Sequence, residues 1–390
     1  MGKKIEQKME KKMEKDPEYD LWWALSSEQA GIRSVQTIRK AGSAKRLFEM
    51  GAEQLQEEFG LSPKAAGHII YRRNCWDYEK ALDDLSKNAI RFIPYYDPHY
   101  PKRLLQTQGY PFALFVSGDL PADEKPAVAL IGARECSEYG REMANMFGEE
   151  LANAGVNVLS GMAIGIDGIA QQAALKAGGH SYAVLGSGPN VCYPMANRKL
   201  FRLLREKGGL ISEYGPDVAA VAWHFPVRNR IIAGLSDLVL VVEAKEKSGT
   251  LITVDMALDA GRDVMIVPGR ITDPLSLGCN QLWKSGAMVA LGVEDVLETL
   301  EQNGYTCTAG QKDTQDTSSP KNKIHLERDE KLVYSCLDLY ARSAEEVLLS
   351  TKLPYQELLR LLTELEFKGV IKEVGKGYYI RTAAPDQCNG

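Results

Sequence analysis

Residues 127–168 read AVALIGARECSEYGREMANMFGEELANAGVNVLSGMAIGIDG, and this stretch decides the fold. Its first five residues, Ala127–Ile131, form an uncharged apolar run, which is typical of a parallel strand buried on both faces. A helical segment opened by Ser137 follows, and then a second predicted strand, Val156–Leu159. Both strands end in small residues that lead towards a helix. Open parallel sheets bind anionic ligands at such places.

The same alternation continues downstream, with amphipathic stretches at Ala196–Lys207 and Leu251–Ala260. Four further strand-like runs are Ser181–Leu185, Gly209–Glu213, Leu238–Val242 and Asp263–Val267. Strands that alternate with helices of this length predict an α/β fold with a doubly wound parallel sheet, an extended Rossmann-like arrangement with right-handed crossovers.

Composition limits the class of protein. A chain of 390 residues predicts two or three domains, and a net charge of −5 confines any nucleic-acid site to a local concentration of cations. Seven scattered cysteines without a CxxC pair suit a reduced cytosol. The sequence has no signal-peptide core and no apolar run of about 18 residues. We therefore expect a cytoplasmic protein with no membrane contact.

Patterning divides the chain into five segments. These are a Lys- and Glu-rich flexible lead-in (1–18), a helical module (19–88), a Rossmann-like domain (89–303), a polar linker (304–326) and a winged helix (327–383). Residues 90–121 of the third segment mix aromatics with prolines, which predicts an irregular entry segment packed on the sheet edge. Three helices followed by a β-hairpin indicate the winged helix, and Ser343–Glu346 is a capping box that opens its second helix.

The helical module allows two interpretations. Phe59–Ala66 resembles the hairpin of helix-hairpin-helix (or SAM-like) modules, whose backbone N–H groups can hold a phosphate. A small helical bundle is the simpler interpretation, and the pattern favours it.

Several catalytic and cofactor signatures are missing from the sequence. It has no GxGxxG after the first strand, no P-loop, no HExxH and no GxSxG. Four carboxylates near predicted strand ends could in principle hold a metal, although such groups more often cap helices: Asp167, Glu213, Glu243 and Asp255. We expect no cofactor, no metal and no catalytic activity.

The remaining candidate site is cationic and aromatic. Arg228, Asn229 and Arg230 follow Phe225 by a few residues, and Arg134 ends the first strand. Guanidinium groups clamp phosphates, and an aromatic face stacks with a base, so the cluster favours a phosphodiester ligand. The alternative is that one arginine only pairs with a carboxylate at the sheet edge, either Glu213 or Asp237.

Five motifs together resemble the DNA-processing protein A family (DprA, also called Smf) over residues 89–300: Ile131–Arg134, Ser160–Asp167, Phe225–Ile232, Ser248–Thr250 and Gly278–Asn280. The resemblance implies a bacterial homodimer that binds single-stranded DNA and has no established catalytic activity. It further implies protection of incoming strands in natural transformation. Members also load a RecA-type recombinase onto DNA coated by single-strand-binding protein. Longer members carry a similar N-terminal module and winged helix.

The resemblance assigns roles to individual residues. Arg134 matches an arginine that holds DNA phosphate, Phe225 matches an aromatic that meets a base, and Arg228, Asn229 and Arg230 match a basic clamp. The whole predicted DNA site comprises Gly132, Arg134, Ser160, Gly161, Phe225, Arg228, Asn229, Arg230, Lys247, Ser248, Gly249 and Thr250.

The chain departs from the family pattern at two positions. Ala222 and Met195 stand where some members carry a basic residue, and Arg198, Lys199 and Lys247 are candidates to compensate.

Two alternative functions remain open. The Gly249-Thr250 pair is similar to a motif of nucleotide-hydrolysing Rossmann proteins that make cytokinin-type bases, but Thr253 stands where those enzymes have a catalytic glutamate. A winged-helix transcription factor is the other alternative. Its predicted third helix, Pro354–Lys368, has a net charge of −1, with three glutamates against Arg360 and Lys368, which suits the major groove poorly.

Overall fold

The computed structural model describes residues 15–27, 34–307, 326–338 and 341–382. They form two compact units, a larger one described through Cys307 and a smaller C-terminal one described from Leu326. Most of the predicted lead-in and of the predicted linker therefore lies outside the described residues.

The larger unit begins with the helical module. Its helices are α1 (Pro17–Ser26), α2 (Ser34–Ala41), α3 (Ala44–Glu49), α4 (Ala52–Phe59), α5 (Pro63–Asn74) and α6 (Tyr78–Lys87). Helix α1 starts at Pro17 behind the N-cap Asp16, so the module begins slightly before the predicted boundary at residue 19. Trp22 and Trp23 are fully buried in its core. Whether the hairpin between α4 and α5 holds a phosphate stays a prediction.

A nine-stranded sheet forms the centre of the larger unit. Its strands are β1 (Arg91–Pro94), β2 (Ala113–Gly118), β3 (Ala127–Ile131), β4 (Asn157–Ser160), β5 (Ser181–Val184), β6 (Gly208–Ser212), β7 (Leu238–Val241), β8 (Asp263–Ile266) and β9 (Met288–Val289). Their order across the sheet is β1-β2-β6-β5-β4-β3-β7-β8-β9. Strands β3 to β9 pair in parallel, which confirms the predicted doubly wound α/β fold.

The prediction for residues 90–121 was wrong in one respect. This segment is not simply irregular, because it contributes β1 and β2, which extend the sheet in antiparallel pairing beyond β6. Prolines between the two strands obscure the short alternating runs that would identify them from sequence.

Helices cover the sheet. They are α7 (Lys102–Leu105), α8 (Glu138–Asn153), α9 (Ile166–Lys176), α10 (Arg198–Lys207), α11 (His224–Leu235), α12 (Gly249–Asp259), α13 (Leu277–Lys284) and α14 (Val293–Gln302). All five residues of β3 are buried, as expected for a strand with helices on both faces. None of the helices in the described part of the chain has both the length and the apolar character needed to cross a membrane.

Strand β3 marks the point where the direction of winding changes. The chain proceeds from β3 through β4 and β5 to β6 on one side, and then crosses to β7 on the other side of β3. Crevices at the carboxyl ends of strands beside such a switch point are the usual ligand sites of open α/β sheets.

The smaller unit is a winged helix. It contains α15 (Arg328–Ser335), β10 (Arg342–Ser343), α16 (Ala344–Thr351), α17 (Tyr355–Phe367), β11 (Ile371–Gly375) and β12 (Tyr378–Arg381), with the sheet order β10-β12-β11. The capping box is present, because Ser343 Oγ accepts from the Glu346 amide at 3.2 Å and the Glu346 carboxylate accepts from the Ser343 amide at 3.0 Å.

Candidate nucleic-acid interface

A cleft of about 490 Å³ opens at the switch point, at the carboxyl ends of β3, β4 and β7. Its walls come from the turn after β3, the glycine loop after β4, the first turns of α11 and the first turn of α12. The predicted site residues on these walls are Gly132, Arg134, Phe225, Arg228, Asn229, Ser248, Gly249 and Thr250.

Arg134 lies on the exposed turn after β3. The turn rests on the glycine loop after β4, where the Ile166 amide donates to the Ala133 carbonyl at 3.2 Å. Gly165 has φ +84°, and a Cβ there would collide with the carbonyl oxygens of Ala133 and Arg134. Only glycine allows this approach. The fold thus fixes the backbone that carries Arg134 while its side chain remains exposed.

Phe225 is half-buried at the start of α11, and two guanidinium groups lie close to its ring. The Arg134 guanidinium lies 5.8 Å from its ring centroid and the Arg228 guanidinium 5.9 Å. The Tyr193 ring packs 5.5 Å away at a tilt of 31° and is 48% exposed. The sequence analysis did not identify Tyr193 as a neighbour of Phe225. An aromatic in a glycine-rich loop after β5 is the signal that could have identified it.

Arg228 lines the cleft but is held by the protein. It is only 5% exposed, and its Nη1 donates to the carbonyl oxygens of Gly161, at 3.1 Å, and Val184. Burial lowers the pKa of its guanidinium to about 10, and Asp167 opposes that shift. The side chain joins the ends of β4 and β5, which leaves it little capacity to clamp a phosphate.

Arg230 lies outside the walls of the cleft. It is 9% exposed and forms an ion pair with Glu213, which follows β6. The alternative interpretation of the sequence, in which an arginine pairs with a carboxylate at the sheet edge, therefore applies to Arg230. The structure does not place Arg230 beside Arg134. Asp237, the other carboxylate considered, pairs with Arg103 at 2.9 Å.

The Ser160-Gly161 pair serves the fold. Ser160 is fully buried, and its hydroxyl donates to the Leu130 carbonyl at 2.5 Å. The Gly161 amide donates to the Asp167 carboxylate at 3.1 Å, and burial raises the pKa of that carboxyl. A Cβ on Gly161 would lie 2.6 Å from Arg228 Nη2. The predicted hydroxyl and backbone donors are thus already used inside the protein.

The Ser248-Gly249-Thr250 segment presents a helix N-terminus to the cleft. Ser248 is the N-cap of α12, because its hydroxyl oxygen accepts from the Thr250 amide at 3.2 Å. Gly249 is exposed, and so is Lys247, which precedes the cap. The N-terminus of an eleven-residue helix carries a partial positive charge, so this wall is suited to an anion.

The four carboxylates considered for metal binding do not form a metal site in the part of the chain that the structure describes, where no group of three His, Cys, Asp or Glu side chains is suitably placed. Thr253 lines the cleft but is 3% exposed.

The chain belongs to the family described as DNA recombination-mediator protein A, whose model matches residues 91–301. A second model, the DprA winged helix domain, matches residues 317–377.

Relatives and solved structures agree with this assignment. Protein Smf from Escherichia coli is 38% identical over 77% of this chain and 80% of its own length. DNA processing protein DprA from Streptococcus pneumoniae is 42% identical over 56% of this chain and 79% of its own. The X-ray structure of the S. pneumoniae protein covers 73% of this chain and 98% of its own, with a TM-score of 0.60 at 33% identity. The Helicobacter pylori protein, solved for its single-stranded DNA binding mode, covers 56% of this chain and 97% of its own, with a TM-score of 0.51 at 27% identity.

Proposed function

We propose that this protein binds single-stranded DNA in the cleft at the switch point and acts as a recombination mediator. One observation carries the proposal: an exposed guanidinium, Arg134, lies 5.8 Å from the half-buried ring of Phe225 in a cleft that also presents a helix N-terminus. Family membership and the single-strand binding of the H. pylori relative support it.

The arrangement separates the two chemical parts of a nucleotide. Arg134, Lys247 and the N-terminus of α12 supply positive charge for phosphates, whereas Phe225 and Tyr193 supply faces for bases. A base in a duplex has both faces stacked on its neighbours, so an aromatic platform selects unstacked single strands without strong sequence preference. We therefore assign phosphate contacts to Arg134 and Lys247, and positioning roles to Arg228 and Arg230.

Fluorescent oligo-dT and a matched blunt duplex, each titrated at two salt concentrations, test the proposal. We expect a marked preference for the single strand. If the cleft neutralises about two or three phosphates, log affinity falls with log salt at a slope between about −1.4 and −2. Equal affinity for the duplex would overturn the proposal.

The winged helix does not supply a duplex-binding surface in this proposal. The cations of its third helix are already paired with carboxylates: Arg360 with Glu357 at 2.5 Å and Glu364 at 2.6 Å, and Lys368 with Glu330 at 2.5 Å. A recognition helix needs cations available for phosphate. We assign this domain to protein contacts instead.

We propose no catalytic step. Thr253 stands where the related hydrolases have a catalytic glutamate. Its hydroxyl is buried and is neither a general acid nor a general base at neutral pH. Incubation with nucleoside monophosphates should release no free base, and release by the purified protein would restore the hydrolase alternative.

Loading of a RecA-type recombinase in the cytoplasm, on strands taken up in natural transformation, is the finer proposal. It rests on membership of the mediator family. The test is the lag before a recombinase filament forms on DNA coated with single-strand-binding protein. The wild-type protein should shorten that lag, and Phe225→Ala should do so less. An unchanged lag with wild-type protein would contradict the loading role.

The edge of the sheet formed by β9 supports homodimer formation. Strand β9 has only two residues, and apolar side chains on the neighbouring elements are exposed: Ile271 at 83%, Trp283 at 58% and Leu291 at 78%. Exposed apolar surface of this kind marks association sites. Sedimentation should give a dimer that Leu291→Lys converts to a monomer. A wild-type monomer at high concentration would contradict it.

A further inference from the structure

Helix α10 is strongly basic in an acidic protein. Its ten residues, RKLFRLLREK, include five basic side chains and one glutamate, a net charge of +4, while the whole chain carries −5. The apolar residues Leu200, Phe201 and Leu204 are buried against the sheet. The charged residues therefore share the opposite, solvent-facing side of the helix.

The cations at the start of this helix form no ion pair within the described part of the chain. Arg198, Lys199 and Arg202 are exposed, and none of them forms an ion pair with a described residue. Arg205 differs, because its Nε donates to Ser117 Oγ at 3.1 Å and its Nη2 to the Asn88 carbonyl at 3.2 Å. Arg198 and Lys199 lie four and three residues before Arg202, and like charges at these spacings on a helix repel one another.

The stripe formed by Arg198, Lys199 and Arg202 begins beside the opening of the cleft. Tyr193 lines the cleft, and a single 3-10 turn, Met195–Asn197, connects it to Arg198. The side-chain Nδ2 of Asn197 donates to the carbonyls of Met162 and Ala163 at 3.0 Å, so the start of α10 is fixed to the glycine loop that forms the cleft wall.

We propose that the stripe is a second phosphate-contacting track, along which a single strand continues after it leaves the cleft past Tyr193. This inference rests on the proposed single-strand binding. It predicts that contact with the stripe depends on the length of the bound strand. Strands short enough to be confined to the cleft do not reach the stripe, and longer strands do. The helix rises about 6 Å between Arg198 and Arg202, which spaces their charges along the path of a phosphate chain.

Charge complementarity favours single-stranded nucleic acid as the ligand of the stripe. A cationic stripe attached to a stacking platform suits a polyanion with accessible bases, and such combinations bind single strands through backbone charge and base stacking together. The stripe also explains how the chain manages without a basic residue at Ala222 and Met195, because it supplies cations from a neighbouring element.

The experiment uses the full chain and two lengths of oligo-dT, about 6 and about 20 nucleotides. The shorter lies within, and the longer beyond, the roughly 4–16 nucleotides that a single-strand binding fold typically covers. The test variant neutralises the stripe (Arg198→Gln, Lys199→Gln, Arg202→Gln). A matched control neutralises three exposed lysines elsewhere (Lys80→Gln, Lys102→Gln, Lys125→Gln), of which Lys102 and Lys125 precede β2 and β3. All substituted side chains are exposed, so melting temperatures should stay unchanged.

For the long strand, the stripe variant should bind more weakly, and its slope of log affinity against log salt should flatten by about 2, the contribution of three phosphates. The short strand should bind wild-type protein and stripe variant equally. Long-strand binding by the stripe variant that matches the lysine control would overturn the inference, as would an equal loss for both lengths. Failure of wild-type protein to bind either strand would instead overturn the proposed function itself.

Discussion

The turn after β3 and helix α11 each contribute arginines near the cleft, and the two regions use them differently. Arg134 is exposed on a turn whose backbone is held from below by Gly165. Arg228 and Arg230 are buried. Arg228 donates hydrogen bonds to the carbonyl oxygens of Gly161 and Val184, and Arg230 forms an ion pair with Glu213.

The difference follows from what each element packs against. A turn beyond the end of a strand has solvent on one side, so its side chain can meet a ligand without losing a protein partner. Helix α11 packs tightly against α12 and the strand ends, with Ile231, Ile232 and Ala233 buried. A buried guanidinium requires compensation, and carbonyl and carboxylate oxygens provide it. The same residue type is therefore available to a ligand in one region and engaged by the fold in the other.

Arg230→Ala gives the sharpest test of this contrast. Removing one partner leaves Glu213 buried without its cation, which should lower the free energy of unfolding by about 3–5 kcal/mol. Urea unfolding measures this free energy. As a control, Arg134→Ala at an exposed position should stay within about 0.5 kcal/mol of wild type. The double variant Glu213→Ala, Arg230→Ala should lose less than the sum of the two single variants. A stable Arg230→Ala protein that had lost DNA affinity would reverse the assignment.

Arg228→Ala should cost about 2–3 kcal/mol at neutral pH, because two carbonyls lose a charged donor. Burial raises the pKa of Asp167, and Arg228 opposes this. A carboxyl with a raised folded-state pKa contributes stability that is present below its unfolded-state pKa and is lost as pH rises through the folded-state pKa.

Without Arg228 the Asp167 pKa rises further. The deficit of Arg228→Ala relative to wild type should therefore be larger at pH 7 than at pH 4, which urea titrations at both pH values can measure. Adding Asp167→Asn should remove the pH-dependent part. A deficit that is equal at both pH values would show that the two side chains are not coupled.

Phe225→Ala should weaken single-strand binding by about 1–3 kcal/mol, the value of stacking one base, and should leave the salt slope unchanged. Phe225→Trp, which keeps a stacking face, should bind nearly as well as wild type. Equilibrium titration at several salt concentrations measures both. If Phe225 acted only as a packing residue, the alanine variant would lose melting temperature along with affinity.

Arg134→Ala should have the smallest effect, namely a flattening of the salt slope by about 0.7, the contribution of one phosphate on a single strand. Arg134→Lys should recover part of the lost affinity, because lysine keeps the charge and loses the bidentate fork. The same titrations measure this slope. An unaltered slope in well-folded Arg134→Ala protein would move the phosphate site away from the turn after β3.

The sequence predicted most of the parallel sheet and the winged helix because the patterns that indicate them are local. The uncharged run Ala127–Ile131, the helix opened by Ser137 and the capping box at Ser343 depend on neighbours a few residues away, and the structure has β3, the start of α8 and the start of α16 there. The paired strands β1 and β2 were not predicted, because their register depends on β6, nearly a hundred residues downstream of β2.

The sequence by itself determined which residue types gather at the carboxyl ends of the strands: arginines, an aromatic and glycine loops. Only the tertiary structure decided which of them can reach a ligand. Arg134, Arg228 and Arg230 look alike in the sequence, but Gly161, Val184 and Glu213, which engage two of them, come from other strand ends. Burial is a property of packing between distant segments, and it alone distinguishes a guanidinium that holds the sheet together from one that is available for phosphate.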